Sequence, residues 1–394
     1  MNADPDLVLL NGEVHTLGEP DETVEAVVVR DGAVASLRSN YEAGFAVTVD
    51  ARVVDLEGRT VLPGFVDAAA RIGAAARSEA TGDATPDGLV EGGARALLDE
   101  TTLDERDDGL DANAVSGPLR AAQHRANERG VTRAHDAVRS AAVPAAYRDL
   151  AAAGSAMVRV HLDYPRERLD ALVALGERTG HGSEWVRTGA VAVQARGAET
   201  GGERGLGGDN LRAFVRRADA AGVRVVARVA DEAALDAVLD AYETETDDPA
   251  VARHRIECGV VPDAARAARV ADLGVVPVVR PAVGGADGAT AARTLLDAGA
   301  ELALASDATS RDPLDAVARV VDPRGSEGIT VTEALRAATG GGAYAGFDEG
   351  CLGALGPGAA ADLVVLDGSP WEDDCHDVEV AMTVVDGEVV YDGR

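Results

Sequence analysis

The chain has 394 residues, with 37 Lys plus Arg against 68 Asp plus Glu, which gives a formal net charge of −31. Every basic residue is an arginine, because the sequence contains no lysine. This charge argues against nucleic-acid and anionic-membrane partners, since phosphate groups attract clustered cations. The hydrophobic content of 46% is too high for a disordered chain, and no apolar run is long enough to span a membrane.

The first residues lack the basic and apolar regions of a signal peptide. The cysteines Cys258, Cys351 and Cys375 are too few and too widely spaced for a disulfide framework. We therefore expect a cytoplasmic protein. The acidity also predicts a halophilic source, because molar salt shortens the Debye length to roughly 3 Å and screens self-repulsion. An acidic protein from a GC-rich mesophile is the alternative.

Both ends of the chain are rich in predicted strands. Asp6–Leu17 and Ala26–Leu37 each consist of two apolar runs around an Asn-Gly or Asp-Gly pair, which is a strong hairpin signal. Ala361–Leu366 and Met382–Tyr391 have the same character, the second around Asp386-Gly387. We therefore predict a small β-sandwich domain formed by residues 1–60 together with 345–394.

The middle of the chain, residues 61–344, alternates short β-branched runs with Ala-, Asp- and Arg-rich stretches of helical character. Eight such alternations predict a (β/α)₈ barrel, with a doubly wound sheet as the alternative. Gly73–Asn113 has no clear period and is predicted to be loop or poorly packed helix. The predicted barrel strands are Val61–Val66, Val131–His135, Val158–Leu162, Ala190–Gln194, Val223–Ala227, Arg255–Gly259, Val275–Val279 and Glu301–Ala305.

No local sequence motif indicates a nucleophile, a phosphate-binding loop or a metal site. The patterns G-x-x-x-x-G-K-[ST], G-x-S-x-G, H-E-x-x-H and H-x-H are all absent, and the seven histidines are well separated. Any site is therefore expected to be assembled from the ends of several strands, as barrel sites are.

Several segments, taken in order, are similar to one known family. They resemble the amidohydrolase superfamily, and within it the N-substituted formamide deformylase-like branch. The resemblance implies a metal-dependent barrel enzyme that hydrolyses C–N bonds other than peptide bonds. The segments are Asp6–Leu17, Asp55–Asp67, Gly130–Asp136, Arg253–Glu257, Ala305–Ala308, Glu333–Thr339, Gly358–Leu366 and Thr383–Tyr391.

The sequence departs from this family at the metal positions that the resemblance implies. Asp307 stands at the family's eighth-strand aspartate, and the other five positions lack the family's ligand. Alanine has no donor atom and arginine is a permanent cation, so the family's chemistry is expected to be lost. The five altered positions are Ala69, Arg71, Ala192, Arg228 and Cys258.

Arginine recurs at the predicted carboxyl ends of strands, as Arg71, Arg196, Arg228 and Arg280. One hypothesis is that these guanidiniums converge and bind a small anion, because a planar guanidinium suits carboxylate or phosphate. The alternative is that each pairs with a nearby acid such as Asp67, Glu232, Glu257 or Asp307. A mixture of paired and unpaired arginines is the third interpretation.

Four further side chains have two interpretations each. Asp307 is either a general base or metal ligand, as in the family, or a structural partner of Arg71 or Arg228. Cys258 is either a ligand or nucleophile, or a small apolar filler. His135 and His161 either reach the barrel mouth and join Asp307 and Cys258 in an improvised metal site, or are hydrogen-bonded core residues.

Three functional hypotheses follow. The first is a catalytically impaired amidohydrolase relative that binds a small anion or other small molecule. The second is an active hydrolase with an unconventional site, and this one alone requires a cofactor, a divalent metal of the zinc type. The third is a structural or regulatory partner of a paralogue. No nucleic-acid or membrane partner is expected, and a homo-oligomer stays open.

Overall fold

The structure, a computed structural model, describes residues 6–81, 109–197, 205–281, 288–306, 312–321 and 328–394. Strands from both ends of this chain form two sheets, one with the order β5-β4-β1-β6 and one with the order β18-β17-β16-β7-β2-β3. The strands are β1 Leu7–Leu10, β2 Glu13–His15, β3 Thr23–Val24, β4 Ala26–Arg30, β5 Ala33–Arg38, β6 Arg52–Asp55, β7 Thr60–Pro63, β16 Leu363–Asp367, β17 Glu379–Val385 and β18 Glu388–Asp392.

The two sheets pack face to face as the predicted β-sandwich. Successive side chains of a strand point to opposite faces, so Leu7 and Leu9 enter the inter-sheet core while Val8 packs towards the helix Asn40–Gly44. On the six-stranded sheet, Val365 faces the same core. The other face of that sheet, with Leu62, Val364 and Leu366, joins the hydrophobic layer around the barrel.

Eight parallel strands form a nearly closed barrel in the order in which they occur along the described chain. This arrangement confirms the predicted (β/α)₈ fold. The barrel closes between its first and last strands, where the Ser306 backbone N–H donates to the Asp67 carboxylate at 3.3 Å. The strands are β8 Phe65–Ala70, β9 Val131–Ala137, β10 Arg159–Pro165, β11 Val186–Gln194, β12 Arg224–Val229, β13 Arg255–Cys258, β14 Val276–Val279 and β15 Ala303–Leu304.

Helices cover the barrel, and many of the acidic residues serve as their amino-terminal caps. The carboxylates of Asp111, Asp231 and Asp263 each accept a backbone N–H of the first helical turn. No described helix combines the length and the hydrophobicity needed to cross a membrane. The helices that surround the barrel are Ile72–Thr81, Ala112–Asn127, Ala142–Ala152, Leu169–Leu175, Gly208–Ala220, Glu232–Glu245, Pro249–Ala252, Ala264–Asp272, Gly288–Asp297, Pro313–Val320, Val331–Arg336 and Gly342–Gly346.

Two of the three predicted tight turns are confirmed. Asp31-Gly32 joins the antiparallel pair β4 and β5, and Asp386-Gly387 joins β17 and β18, with positive φ at both residues of each pair. The hairpin predicted around Asn11-Gly12 is wrong, because β1 and β2 belong to different sheets. In this pair Asn11 alone has a positive φ, so the backbone crosses between the sheets instead of folding back.

The predicted first barrel strand, Val61–Val66, is also wrong in its limits. Thr60–Pro63 pairs with β16 in the sandwich, and the barrel strand runs from Phe65 to Ala70. Gly64 separates the two strands because a Cβ at this position would lie 2.3 Å from the Thr132 side chain. One apolar run in the sequence thus contributes strands to two different sheets. The alternation of apolar and polar residues does not show where such a run divides.

The stretch Gly73–Asn113, predicted to be loop or poorly packed helix, is helical at its start. Ile72–Thr81 is a helix whose Ala76 is fully buried, and the helix Ala112–Asn127 begins at the far end of the stretch. Residues 82–108 lie outside the described part of the chain.

Candidate functional site

Strand alternation decides which residues of β12 and β13 enter the barrel. Arg228 of β12 lies in register with Glu257 of β13, and both side chains point to the interior. The neighbouring Ala227, Ile256 and Cys258 point outward into the hydrophobic layer beneath the helices. Polar residues therefore line the barrel interior near the carboxyl ends of these strands. We call this end of the barrel the mouth.

Glu257 is the centre of a buried ion-pair group at the mouth. It accepts hydrogen bonds from Arg228 Nε at 3.0 Å and from Arg280 Nη1 at 3.4 Å, both to Oε2. Burial by itself would raise the pKa of Glu257, but Arg228, Arg280 and Arg255 outweigh burial and lower the pKa to about 2. Glu257 is therefore ionised at neutral pH.

Two more arginines adjoin this group. Burial lowers the pKa of Arg71 to about 8, and the like charges of Arg280, Arg139 and Arg228 act in the same direction. Burial and the charges of Arg228 and Arg280 likewise lower the pKa of Arg139 to about 10. We call Arg71, Arg139, Arg228, Arg280 and Glu257 the mouth cluster. Burial is the larger cause of both lowered pKa values, and the like charges of the neighbouring arginines add to it.

Arg196, the fourth predicted arginine, has its contacts elsewhere. Its backbone N–H donates to Leu206 at 2.9 Å, and its side chain lies so close to Gly205 that a Cβ there would be 2.6 Å from Arg196 Nε. Within the described residues, no ion pair or hydrogen bond joins Arg196 to the mouth cluster. Arg139, which the sequence did not single out, stands with the cluster instead.

Cys258 lies in the hydrophobic layer outside the barrel wall. Its Sγ is 3.9 Å from the carbonyl oxygen of Ile256. Burial, and secondarily the neighbouring Glu257 carboxylate, raise the pKa of this thiol to about 12. The thiol is therefore protonated at neutral pH, and a thiolate ligand or nucleophile is disfavoured at this position.

Asp307, the predicted catalytic residue, lies outside the described residues, and its role stays a prediction. The preceding Ser306 donates from its hydroxyl and from its backbone N–H to Asp67. Burial raises the pKa of Asp67, against these hydrogen bonds. Asp67 was one expected partner for the arginines; it accepts a hydrogen bond from the backbone N–H of Ala69, and the charge of Arg280 acts to lower its pKa. Glu232, another expected partner, pairs with Arg266 at 3.0 Å.

His135 and His161 lie deeper, where the opposite end of the barrel is closed; we call this the floor. Their rings stack with centroids 5.0 Å apart, and His161 Nε2 donates to Asp348 at 2.7 Å. Burial lowers the pKa of His161 to about 4 and that of His135 well below its ordinary value. Both rings are neutral at pH 7, and both act as buried hydrogen-bonding residues.

Asp348 holds the floor together through contacts that sequence reasoning missed. It accepts from Arg133 and from Arg187 Nη1, the latter at 2.7 Å, as well as from His161. Burial would raise the pKa of Asp348, yet His161, Arg133 and Arg187 keep it below its usual range. The alternation of Arg133 with His135 and of Arg159 with His161 is a sequence signal that could have predicted a polar interior.

Comparison with known proteins shows the family to which the chain belongs. The sequence profile of the Amidohydrolase family matches residues 68–391. The chain belongs to the amidohydrolase family. A 63-residue segment is 38% identical to an N-substituted formamide deformylase of Arthrobacter pascens, and this segment spans 16% of the chain and 12% of that enzyme. The resemblance read from the sequence is thereby confirmed.

Solved structures share the amidohydrolase fold at low sequence identity. A metal-dependent hydrolase from Pyrococcus furiosus, itself uncharacterised, superposes with a TM-score of 0.72 at 18% identity, over 93% of this chain and 100% of that one. A triazine hydrolase from Arthrobacter aurescens gives a TM-score of 0.70 at 16% identity, over 99% and 95% of the two chains. These similarities establish the barrel with its sandwich.

At the metal-ligand positions that the resemblance implies, the described residues are not the family's donors. Ala69 and Ala192 offer no donor atom, while Arg71 and Arg228 place cations at two ligand positions. Within the described ranges, no group of three or more His, Cys, Asp or Glu side chains is arranged to hold a metal.

Proposed function

We propose that this amidohydrolase-family protein binds a small anion at the mouth cluster and has lost the metal-dependent hydrolysis of C–N bonds. The observation that carries the proposal is the grouping of four guanidiniums around one ionised carboxylate, Glu257. The charges of Arg228 and Arg280 lower the pKa values of both Arg71 and Arg139, so these cations repel one another in a largely buried space. An anion would offset this repulsion, and two guanidiniums can each give it paired hydrogen bonds.

Arg139 is the best-placed donor for such an anion. No ion pair or hydrogen bond joins its side chain to the described residues, whereas Arg228 is occupied by Glu257. Its side chain is half-buried, so it is desolvated enough to strengthen an ion pair and still open to a ligand. The ordinary partners for these groups are carboxylate, phosphate and sulfate.

The proposal is tested by calorimetric titration with inorganic phosphate, sulfate and acetate at constant ionic strength. We expect a dissociation constant in the low millimolar range or below for at least one anion. Arg139→Gln should weaken binding tenfold or more, because it removes a cation without leaving an acid unpaired. The matched control is Arg266→Gln, which removes an arginine that pairs with Asp236 on the helical surface at 2.8 Å. No heat of binding with any of the three anions would overturn the proposal.

The loss of hydrolysis is tested separately. Protein purified without chelator should contain no stoichiometric zinc, iron or manganese, and should not turn over N-substituted formamides, the substrates named for the Arthrobacter pascens relative. Stoichiometric metal or metal-dependent turnover would overturn this part of the proposal and favour an active enzyme with an unconventional site.

A further inference from the structure

A cavity of about 600 Å³ lies between the helices Ala142–Ala152 and Leu169–Leu175, on the outer side of the barrel next to the mouth cluster. This volume lies within the range of small-molecule sites. The wall is largely apolar and includes Val138, Pro144, Tyr164, Leu172 and Leu175.

The helix Leu169–Leu175 has 7 residues against 11 in its neighbour Ala142–Ala152. Its last residue, Leu175, lines the cavity while 78% of its surface is exposed. Val173, on the same helix, is 42% exposed but does not line the cavity. The exposed apolar wall would gain from contact with an apolar ligand.

Arg139 belongs both to this cavity and to the mouth cluster. The other polar side chains that line the cavity are those of Ser140, Arg148, Arg168, Glu177 and Thr188. Arg148 donates to the Tyr164 hydroxyl at 3.2 Å and to the Pro144 carbonyl at 3.4 Å. Arg139 offers a cation at the end of the cavity that adjoins the mouth cluster.

The single lining acid, among the described residues, is at the far end. Glu177 accepts a hydrogen bond from the Thr188 hydroxyl at 3.1 Å. Thr188 pairs in register with Leu162, and Leu162 pairs in register with Asp136. Asp136 precedes Arg139 by three residues along the chain. Glu177 therefore lies nearer the amino ends of the strands than Arg139, which follows the carboxyl end of β9. The single described lining acid and Arg139 are thus at different ends of the cavity, which favours an anionic group at the mouth end.

We propose that the cavity binds the apolar tail of a monocarboxylate whose carboxylate pairs with Arg139 at the mouth cluster. This inference rests on the proposed anion site and names its ligand class, an amphiphile with one carboxylate and an aliphatic chain of several carbons. The carboxylate would pair with Arg139, and the chain would cover Leu172 and Leu175. A fully buried methylene is worth about fourfold in affinity, so a chain half in contact with the wall is expected to gain about twofold per methylene.

The test is calorimetric titration of the full chain with acetate, butanoate, hexanoate and octanoate at constant ionic strength. We expect the wild-type affinity to rise about twofold or more for each added methylene. Leu175→Glu should abolish this dependence on chain length and leave acetate binding unchanged. Val173→Glu, the matched exposed position on the same helix, should behave as the wild type. Arg139→Gln should weaken acetate and octanoate alike.

The outcomes separate this inference from the proposed anion site. If neither acetate nor phosphate binds, the anion site itself is wrong. If acetate binds but affinity does not depend on chain length, the anion site stands and the cavity has no role in it. If octanol binds as tightly as octanoate, or if Arg139→Gln leaves the affinity for octanoate unchanged, the carboxylate is not recognised and the inference is overturned.

Discussion

Replacing Glu257 by glutamine should destabilise the fold and strengthen anion binding at the same time. Glu257 is the carboxylate that accepts hydrogen bonds from Arg228 and Arg280 in the barrel interior. The amide keeps the size of the side chain but removes its negative charge. The arginines then repel one another without their internal counter-charge, which costs folding free energy and leaves more positive charge for a bound anion.

The magnitude follows from the pKa of Glu257, which is about 2 against an ordinary value of 4.5. At 1.36 kcal/mol per unit, this carboxylate contributes about 3 kcal/mol at neutral pH, in line with the cost of removing one partner of a buried ion pair. Because the folded-state pKa is depressed, the contribution is complete above pH 4.5 and is lost as the pH falls through about 2. At pH 3 it should be about half of its neutral value.

The assay is urea unfolding of the wild type and Glu257→Gln at pH 7 and pH 3, at one fixed KCl concentration. We expect the difference in unfolding free energy to be about 3 kcal/mol at pH 7 and about half of that at pH 3. Adding phosphate should recover more stability in the variant than in the wild type, and tenfold tighter binding corresponds to about 1.4 kcal/mol at saturating phosphate. The control is Glu243→Gln, which removes an exposed partner of Arg269 and should cost less than about 1 kcal/mol.

Two results would refute this reasoning. If Glu257→Gln unfolds at the same urea concentration as the wild type at pH 7, the carboxylate does not hold the arginines. If phosphate binds the variant more weakly than the wild type, the mouth cluster does not act as a cationic anion site.

Three further predictions concern the fold. Asp348→Asn should cost about 3–5 kcal/mol in urea unfolding, because the carboxylate that gathers Arg133, His161 and Arg187 is lost. Burial raises the pKa of Asp136 to about 7, so its contribution to stability falls as the pH rises from about 4 to 7. Asp136→Asn should therefore unfold like the wild type at pH 4 and be more stable at pH 8, by up to about 4 kcal/mol. The melting temperature should rise from dilute buffer to molar KCl, because a net charge of −31 is screened.

Each of these has a contrary outcome. Unchanged urea unfolding of Asp348→Asn would mean that the floor network is dispensable. Equal stability of Asp136→Asn and the wild type at pH 8 would mean that the carboxyl is not held above its ordinary pKa. A melting temperature that is independent of KCl would contradict the prediction of a halophilic source.

Much of the fold was predictable because its signals are local. Asp31-Gly32 and Asp386-Gly387 take the positive φ angles that a two-residue hairpin requires, and the β-branched runs mark the barrel strands. The error at Asn11-Gly12 arose because the choice between pairing back and crossing to another sheet depends on strands distant in sequence. Local patterning holds no information on that choice.

The site was less predictable for the same reason. Arg71, Arg228 and Arg280 were recognised because they stand at strand ends that a family motif or strand pattern locates. Arg139 lies beyond the end of its strand in a connecting segment, where no period applies. Asp348 reaches the floor from a segment that follows the barrel, more than two hundred residues after Arg133. Such pairs come into contact only in the folded structure, so no local sequence pattern predicts them.

The contacts of the floor also bear on the order in which the chain folds during synthesis. Arg159 of β10 donates to Asp362 at 3.0 Å and to Asp386 at 2.8 Å, so both of these partners lie more than two hundred residues further along the chain, while Glu184, 3.7 Å away, is nearer in sequence. While the ribosome is still making the distant residues, the barrel strands hold buried cations without these counter-ions. The emerging barrel is therefore expected to stay loosely packed until the sandwich strands β16 and β17 arrive, and to depend on chaperones in that interval.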